Sequence, residues 1–170
     1  MRWLGPLLLC VACGPAGPPD EAALPLLTSV GWVEVAAADD PFNDRPDEVR
    51  CDPAGYGPEG AAFEVLTDVC AYGTFSQPAG HDVPAGATLS VEMWHLNLTA
   101  ASPARGHFAV AAGGEVAEVQ PEIPGDPAAY TLELHLKEGI QAGDPLFLHV
   151  HNHGSNSWYL GDWTVTSEDP

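Results

Sequence analysis

Positive charge is what this chain has least of: Lys and Arg total 5 against 24 Asp and Glu, a formal charge of -19 at pH 7. No segment is basic enough to follow a phosphate backbone, which excludes nucleic acid as a partner. The same surplus repels anionic surfaces and draws in divalent cations through the summed field. Helical periodicity is missing too. Gly and Pro number 18 and 17, and they punctuate the chain before an apolar repeat of 3.6 residues can develop. Catalytic signatures are equally scarce. There is no strand-to-helix nucleophile elbow, no Gly-rich phosphate loop and no paired-acid signature, so a non-catalytic protein is expected. Disorder does not follow from the acidity, because 45% of residues are hydrophobic and five are tryptophan.

The first residues, "MRWLGPLLLCVAC", carry one basic residue, Arg2, and then an apolar run from Trp3 to Ala12. That run is too short to span a bilayer but suits the apolar region of a signal segment, giving residues 1–12 as a signal peptide. Its end, "CVAC", resembles the lipobox of bacterial lipoproteins, with Cys10 standing where that family usually has Leu. The resemblance implies that Cys13 is lipid-modified and becomes the new N-terminus. Loss of Arg2 then takes the formal charge from -19 to -20. Gly14, standing where Asp would retain such a protein at the inner membrane, implies the outer membrane of a Gram-negative envelope. Two further cysteines, Cys51 and Cys70, are expected to pair in that disulfide-permissive compartment. Closing a loop of that length stabilises a fold by roughly 3 kcal/mol in the chain-entropy view.

Residues 13–25, "GPAGPPDEAALP" after the cysteine, read as a short stiff tether, and residues 26–170 as one domain. Eight stretches have strand character: "SVGWVEVAA", "AAFEVLT", "ATLSVEMWHLNL", "GHFAVAA", "EVAEVQ", "AYTLELHL", "PLFLHVHN" and "SWYLGDWTV". Short strands at this density predict an all-β fold, a single β-sandwich of jelly-roll type. "VPAGATLSVEMWHLN" from Val83 and "IQAGDPLFLHVHN" from Ile140 echo each other: an apolar residue, an Ala-Gly turn, then an alternating strand with Leu89, Val91 and Met93 matching Leu146, Leu148 and Val150. This half of the chain resembles the galactose-binding-like jelly rolls of many carbohydrate-binding modules, which implies a sugar-binding domain without naming ligand residues. It is also similar to uncharacterised bacterial lipoproteins that end in a His-Asn-His-Gly strand, which implies no activity.

Two stretches carry candidate chemistry. In "LFLHVHNHG", His149, His151 and His153 share a strand face with Phe147, opposite the aliphatic face. Adjacent members of that row can chelate zinc or copper if another strand supplies a third ligand, with His107 or Glu92 as candidates; otherwise they are amphipathic decoration. In "NHGSNSWYLGDW", amides and aromatic rings come close together, a mixture suited to sugar, and Asn152, Asn156, Trp158 and Tyr159 with Trp94 form the expected ligand set. The same rings can instead fill the core. "DDPFNDRPDE", residues 39–48, offers oxygen ligands for a structural calcium ion, or is a solvated acidic loop. The expected partners are therefore the membrane, through the anchor, and a glycan or an envelope protein.

Overall fold

The computed structural model describes residues 25–166; the signal segment and Cys13 lie outside them. Among the described residues there is no α-helix. The strands are β1 (Val33–Glu34), β2 (Tyr56–Glu59), β3 (Ala62–Leu66), β4 (Tyr72–Pro78), β5 (Thr88–His95), β6 (Ala104–Ala112), β7 (Glu115–Val119), β8 (Glu122–Ile123), β9 (Ala128–His135), β10 (Pro145–Asn152) and β11 (Ser157–Thr166). They form two sheets, ordered β1-β4-β10-β6-β7, with β8 also on β6, and β2-β3-β11-β5-β9. Every pairing is antiparallel.

Leaving out the short β1, β2 and β8, eight strands remain. Their orders, β4-β10-β6-β7 and β3-β11-β5-β9, are those of a jelly roll in which the chain repeatedly crosses between sheets. This agrees with the fold class read from the sequence. The internal echo has a structural counterpart, because Val83 and Ile140 bond to each other, N to O, at 2.8 and 2.9 Å. Four residues before each, the chain meets the other segment's Ala-Gly turn: Gly143 N donates to Ala79 O and Gly86 N to Leu136 O. Both turn glycines have positive φ, +83° at Gly86 and +94° at Gly143, a conformation that strains any residue with a side chain.

The core lies between the sheets. Leu89, Val91 and Met93 of β5 and Leu146, Leu148 and Val150 of β10 are fully buried, as the alternation predicts. β4 is a central strand that lies outside the eight predicted stretches. "YGTFSQP" contains Gly, Ser and Pro and does not alternate, because both of its faces are covered: residues 72–75 are all buried. One cover is the core; the other is the loop between β1 and β2, which crosses the outer face of the sheet. Conversely, the predicted strand around Val33 shortens to two residues. The Cys51–Cys70 disulfide is present and ties the far end of that loop to the residues just before β4.

Gly106 on β6 shows how tightly the core closes. A Cβ there would sit 2.8 Å from the Trp158 ring and 3.0 Å from Asn152 Oδ1. Gly106→Ala is therefore expected to lower stability by about 1–3 kcal/mol through overpacking. Gly57→Ala, with nothing within 4 Å of its Cβ position, should change the urea midpoint little.

Candidate functional site

The strand face carrying the histidines is not the solvated surface that its sequence suggests. Phe147, His149 and His151 do point outward from β10, but the β1–β2 loop lies across them and His149 has 0% exposure. The loop is held by Asp40. Its carboxylate accepts from the Tyr72 hydroxyl at 2.7 Å, the Thr74 hydroxyl at 2.9 Å, and the Phe42 backbone N–H and the Arg45 guanidinium, both at 3.1 Å. Burial would raise the pKa of this group, yet those four donors outweigh it and hold the carboxyl below its usual value. The acidic loop is thus an anchored lid rather than a solvated one, and Asp40's oxygens are committed to protein donors.

Once seated, the loop delivers Asp44 to the histidines. Asp44 Oδ2 lies 2.8 Å from His107 Nδ1 and 3.0 Å from His151 Nδ1, and Asp44 Oδ1 lies 3.2 Å from His149 Nε2. His107 comes from β6, directly opposite His151 in register, and its Nε2 is 2.9 Å from Glu118 Oε2 on β7. Phe42 stacks on the His149 ring at 4.4 Å, while Tyr72 meets His149 and His151 edge-on at 5.0 and 5.2 Å. Burial pushes the His149 pKa down to about 4, only partly offset by the Asp44 charge. Burial acts in the opposite sense on Asp44, but the His107 hydrogen bond and the neighbouring imidazoles hold its carboxyl far below the ordinary range.

Of the expected metal row, His149 and His151 belong to this cluster and His153 does not. His153 is exposed past the end of β10, with its ring against that of His151. A strand rises about 3.3 Å per residue, so three alternate positions spread too far to close on one centre. His107, one of the two named candidates for a third ligand, does join; Glu92 lies on β5 in the other sheet. Asp44 was visible only as one carboxylate in an acidic run, with no signal to separate it from its neighbours.

The expected sugar residues divide in two. Trp158 has 0% exposure and packs between Phe108 and His95. Asn152 and Asn156 are also buried and tie down the β10–β11 turn: Asn152 Nδ2 donates to Thr67 Oγ1 and Gly154 O, and Asn156 Oδ1 accepts from Thr99 N. Trp158 is a core residue because β11 directs its even positions inward up to Leu160; Asn152 ends the inward-facing even row of β10, and Asn156 sits in the turn just before β11. Trp94 and Tyr159 instead share the outer face of the other sheet. They are cross-strand partners, their rings 5.3 Å apart and 9° from parallel. Glu64 beside the Tyr159 hydroxyl raises that group's pKa, with burial adding to the effect. Gly161 lets the pair sit flat, since a Cβ there would meet the Trp94 ring at 2.9 Å.

Gly161 also borders a cleft of about 270 Å³ whose lining includes Thr28, Ser29, Trp32, Phe63, Asp162 and Trp163. Here β11 changes register between Leu160 and Trp163, which brings Trp163 inward and leaves Asp162 exposed.

No family model and no curated protein sequence matches the chain. Among solved structures it is similar to TmCBM61 in complex with beta-1,4-galactotriose, at 17% identity over 83% of this chain and 91% of that one, TM-score 0.43. A carbohydrate binding module of family 29 matches at 17% identity over 66% and 73%, TM-score 0.38. The CBM22-1–GH10 modules of Clostridium thermocellum endo-1,4-beta-D-xylanase 10B complexed with xylohexaose match at 11% identity over 85% of this chain and 27% of that one, TM-score 0.42. The likeness goes no further than general β-sandwich architecture.

Replacing Asp40 by Asn should detach the loop and cost about 3 kcal/mol, the scale of losing hydrogen bonds to a charged group. Asp47→Asn, a substitution on the same loop with no hydrogen bond assigned to its side chain among the described residues, should stay within about 0.5 kcal/mol. The folded Asp40 carboxyl titrates below its unfolded value of 3.8, so its contribution is complete above that pH and disappears on acidification through the folded pKa. Urea unfolding at neutral and acidic pH checks both statements.

Proposed function

We propose that this protein is a non-catalytic glycan-binding β-sandwich held at the bacterial cell envelope by a lipid on Cys13. The observation that carries the binding reading is the parallel Trp94–Tyr159 pair on an outer sheet face, separated only by Gly161 from a cleft edged by Asp162 and Trp163. Flat aromatic surface suits the apolar face of a pyranose ring, and carboxylate and hydroxyl groups nearby suit its hydroxyls. Glu64 and Glu92 beside the pair, with Thr28 and Ser29 in the cleft, supply such groups. In this proposal the ligand set keeps Trp94 and Tyr159, adds Asp162 and Trp163, and leaves Asn152, Asn156 and Trp158 to the core and the turn.

The anchor reading rests on the lipobox-like "CVAC" and the stiff tether after it. Several acyl chains would hold the protein to a membrane far more firmly than one.

Two measurements test these readings. β-1,4-Linked galacto- and xylo-oligosaccharides titrated into the full chain should quench tryptophan fluorescence, and Trp94→Ala and Asp162→Ala should each weaken binding by about tenfold or more, the scale of one lost aromatic or hydrogen-bonded contact. Undiminished binding in both variants would remove this surface from the function. For the anchor, labelled palmitate should enter the wild-type chain in bacterial cells and be absent from Cys13→Ala, which should also leave the membrane fraction; equal labelling of the two would rule out Cys13.

A further inference from the structure

The histidine cluster has a feature that hydrogen bonding within the protein leaves unresolved. Thr74 donates its one hydroxyl proton to Asp40 Oδ1, 2.9 Å away. Its oxygen, 2.9 Å from His149 Nδ1, can therefore only accept, which puts the proton of the neutral His149 ring on Nδ1. The other nitrogen, Nε2, then presents a lone pair toward the Asp44 carboxylate, 3.2 Å from Oδ1 and 3.4 Å from Oδ2. Asp44 Oδ1 is itself buried with no hydrogen-bond donor among the described residues. Two acceptors face each other inside a pocket closed by Phe42 and Tyr72, an arrangement that costs free energy unless something positive sits between them.

We propose that Asp44, His107 and His149 bind one divalent transition-metal ion through the Asp44 carboxylate, His107 Nδ1 and His149 Nε2. One donor atom from each residue lies within 4.8 Å of the others. Ligands at roughly 2.0–2.2 Å from a tetrahedral ion are separated by roughly 3.3 Å, close to the His149–Asp44 spacing of 3.2 Å already present. Each ligating imidazole also has an orienting partner on its second nitrogen: Glu118 for His107, and the Thr74–Asp40 chain for His149. Such partners fix ring tautomer and direction in metal sites. An N₂O donor set in a tight pocket suits zinc or copper better than calcium, which takes more oxygens at longer distances. His151, 3.0 Å from Asp44 Oδ2, is a positioning residue that aims the carboxylate. The ion would join loop, β6 and β10 at one point. This site is separate from the aromatic surface on the opposite sheet and does not rest on the glycan reading.

Calorimetric titration of the full chain with zinc, and separately with copper(II), at neutral pH tests the proposal. One equivalent should bind, with His107→Ala and Asp44→Asn weakening affinity roughly a hundredfold or more, Glu118→Gln weakening it about 10–100-fold, and exposed His153→Ala leaving it unchanged. His149→Ala opens a cavity in a buried position, so circular dichroism of every variant should confirm that the folded state is retained before affinities are compared; His107→Ala and Asp44→Asn carry the test if His149→Ala does not fold. Absence of stoichiometric binding, or weak multi-site heat retained by all variants as expected of a generally acidic surface, would overturn the site. Equal loss in His153→Ala and His107→Ala would also overturn it, by returning the ion to the strand row.

Discussion

Everything distinctive about this sandwich depends on a carboxylate that has been taken out of water. Asp40 is covered by the sheet it helps to cover, and burying an ionised carboxylate is costly unless each oxygen is met by donors. Tyr72, Thr74, Arg45 and the Phe42 backbone meet it. Two of those donors lie on β4 and two within the loop itself, so satisfying the charge also seats the loop. With the loop in place, Phe42 closes over His149 and Asp44 reaches the three histidines. The Cys51–Cys70 bond restrains the far end. Among the described residues, Asp40 has donors on both oxygens inside the fold, and Asp44 is half-buried against the three histidines.

The jelly-roll order turns this local device into a site. β10 lies between β4 and β6, so His149 and His151 are flanked by Thr74 and Tyr72 on one side and His107 on the other. The opposite sheet has its own feature: β11 between β3 and β5 brings Tyr159 beside Trp94 and near Glu64. The two surfaces lie on different sheets with the aliphatic core between them, and each can be altered without touching the other.

Much of the fold was legible because alternation is a local signal. Leu89, Val91 and Met93, or Leu146, Leu148 and Val150, declare a buried face without reference to the rest of the chain. β4 was not legible: covered on both faces, it shows no alternation, and its Gly and Pro read as loop. The same ambiguity misplaced Trp158, since a ring followed by Tyr, Gly, Asp and Trp suits a ligand loop and a core strand equally well until the strand's inward parity is known. Asn152 and Asn156 were misassigned for a related reason: an amide in a Gly-Ser-Asn turn looks the same whether it meets a ligand or the turn's own backbone.

By itself, the sequence determined the all-β class, the aliphatic core faces, the Cys51–Cys70 pairing and the outward direction of His149 and His151, because each follows from residue type and spacing within a short span. Only the tertiary structure decided that His153 stands apart, that Asp44 and His107 meet His149, and that Trp94 and Tyr159 share a surface. Those juxtapositions join residues separated by tens of positions, and they are set by strand order and loop seating, which depend on packing of the whole sandwich and leave no local periodic trace.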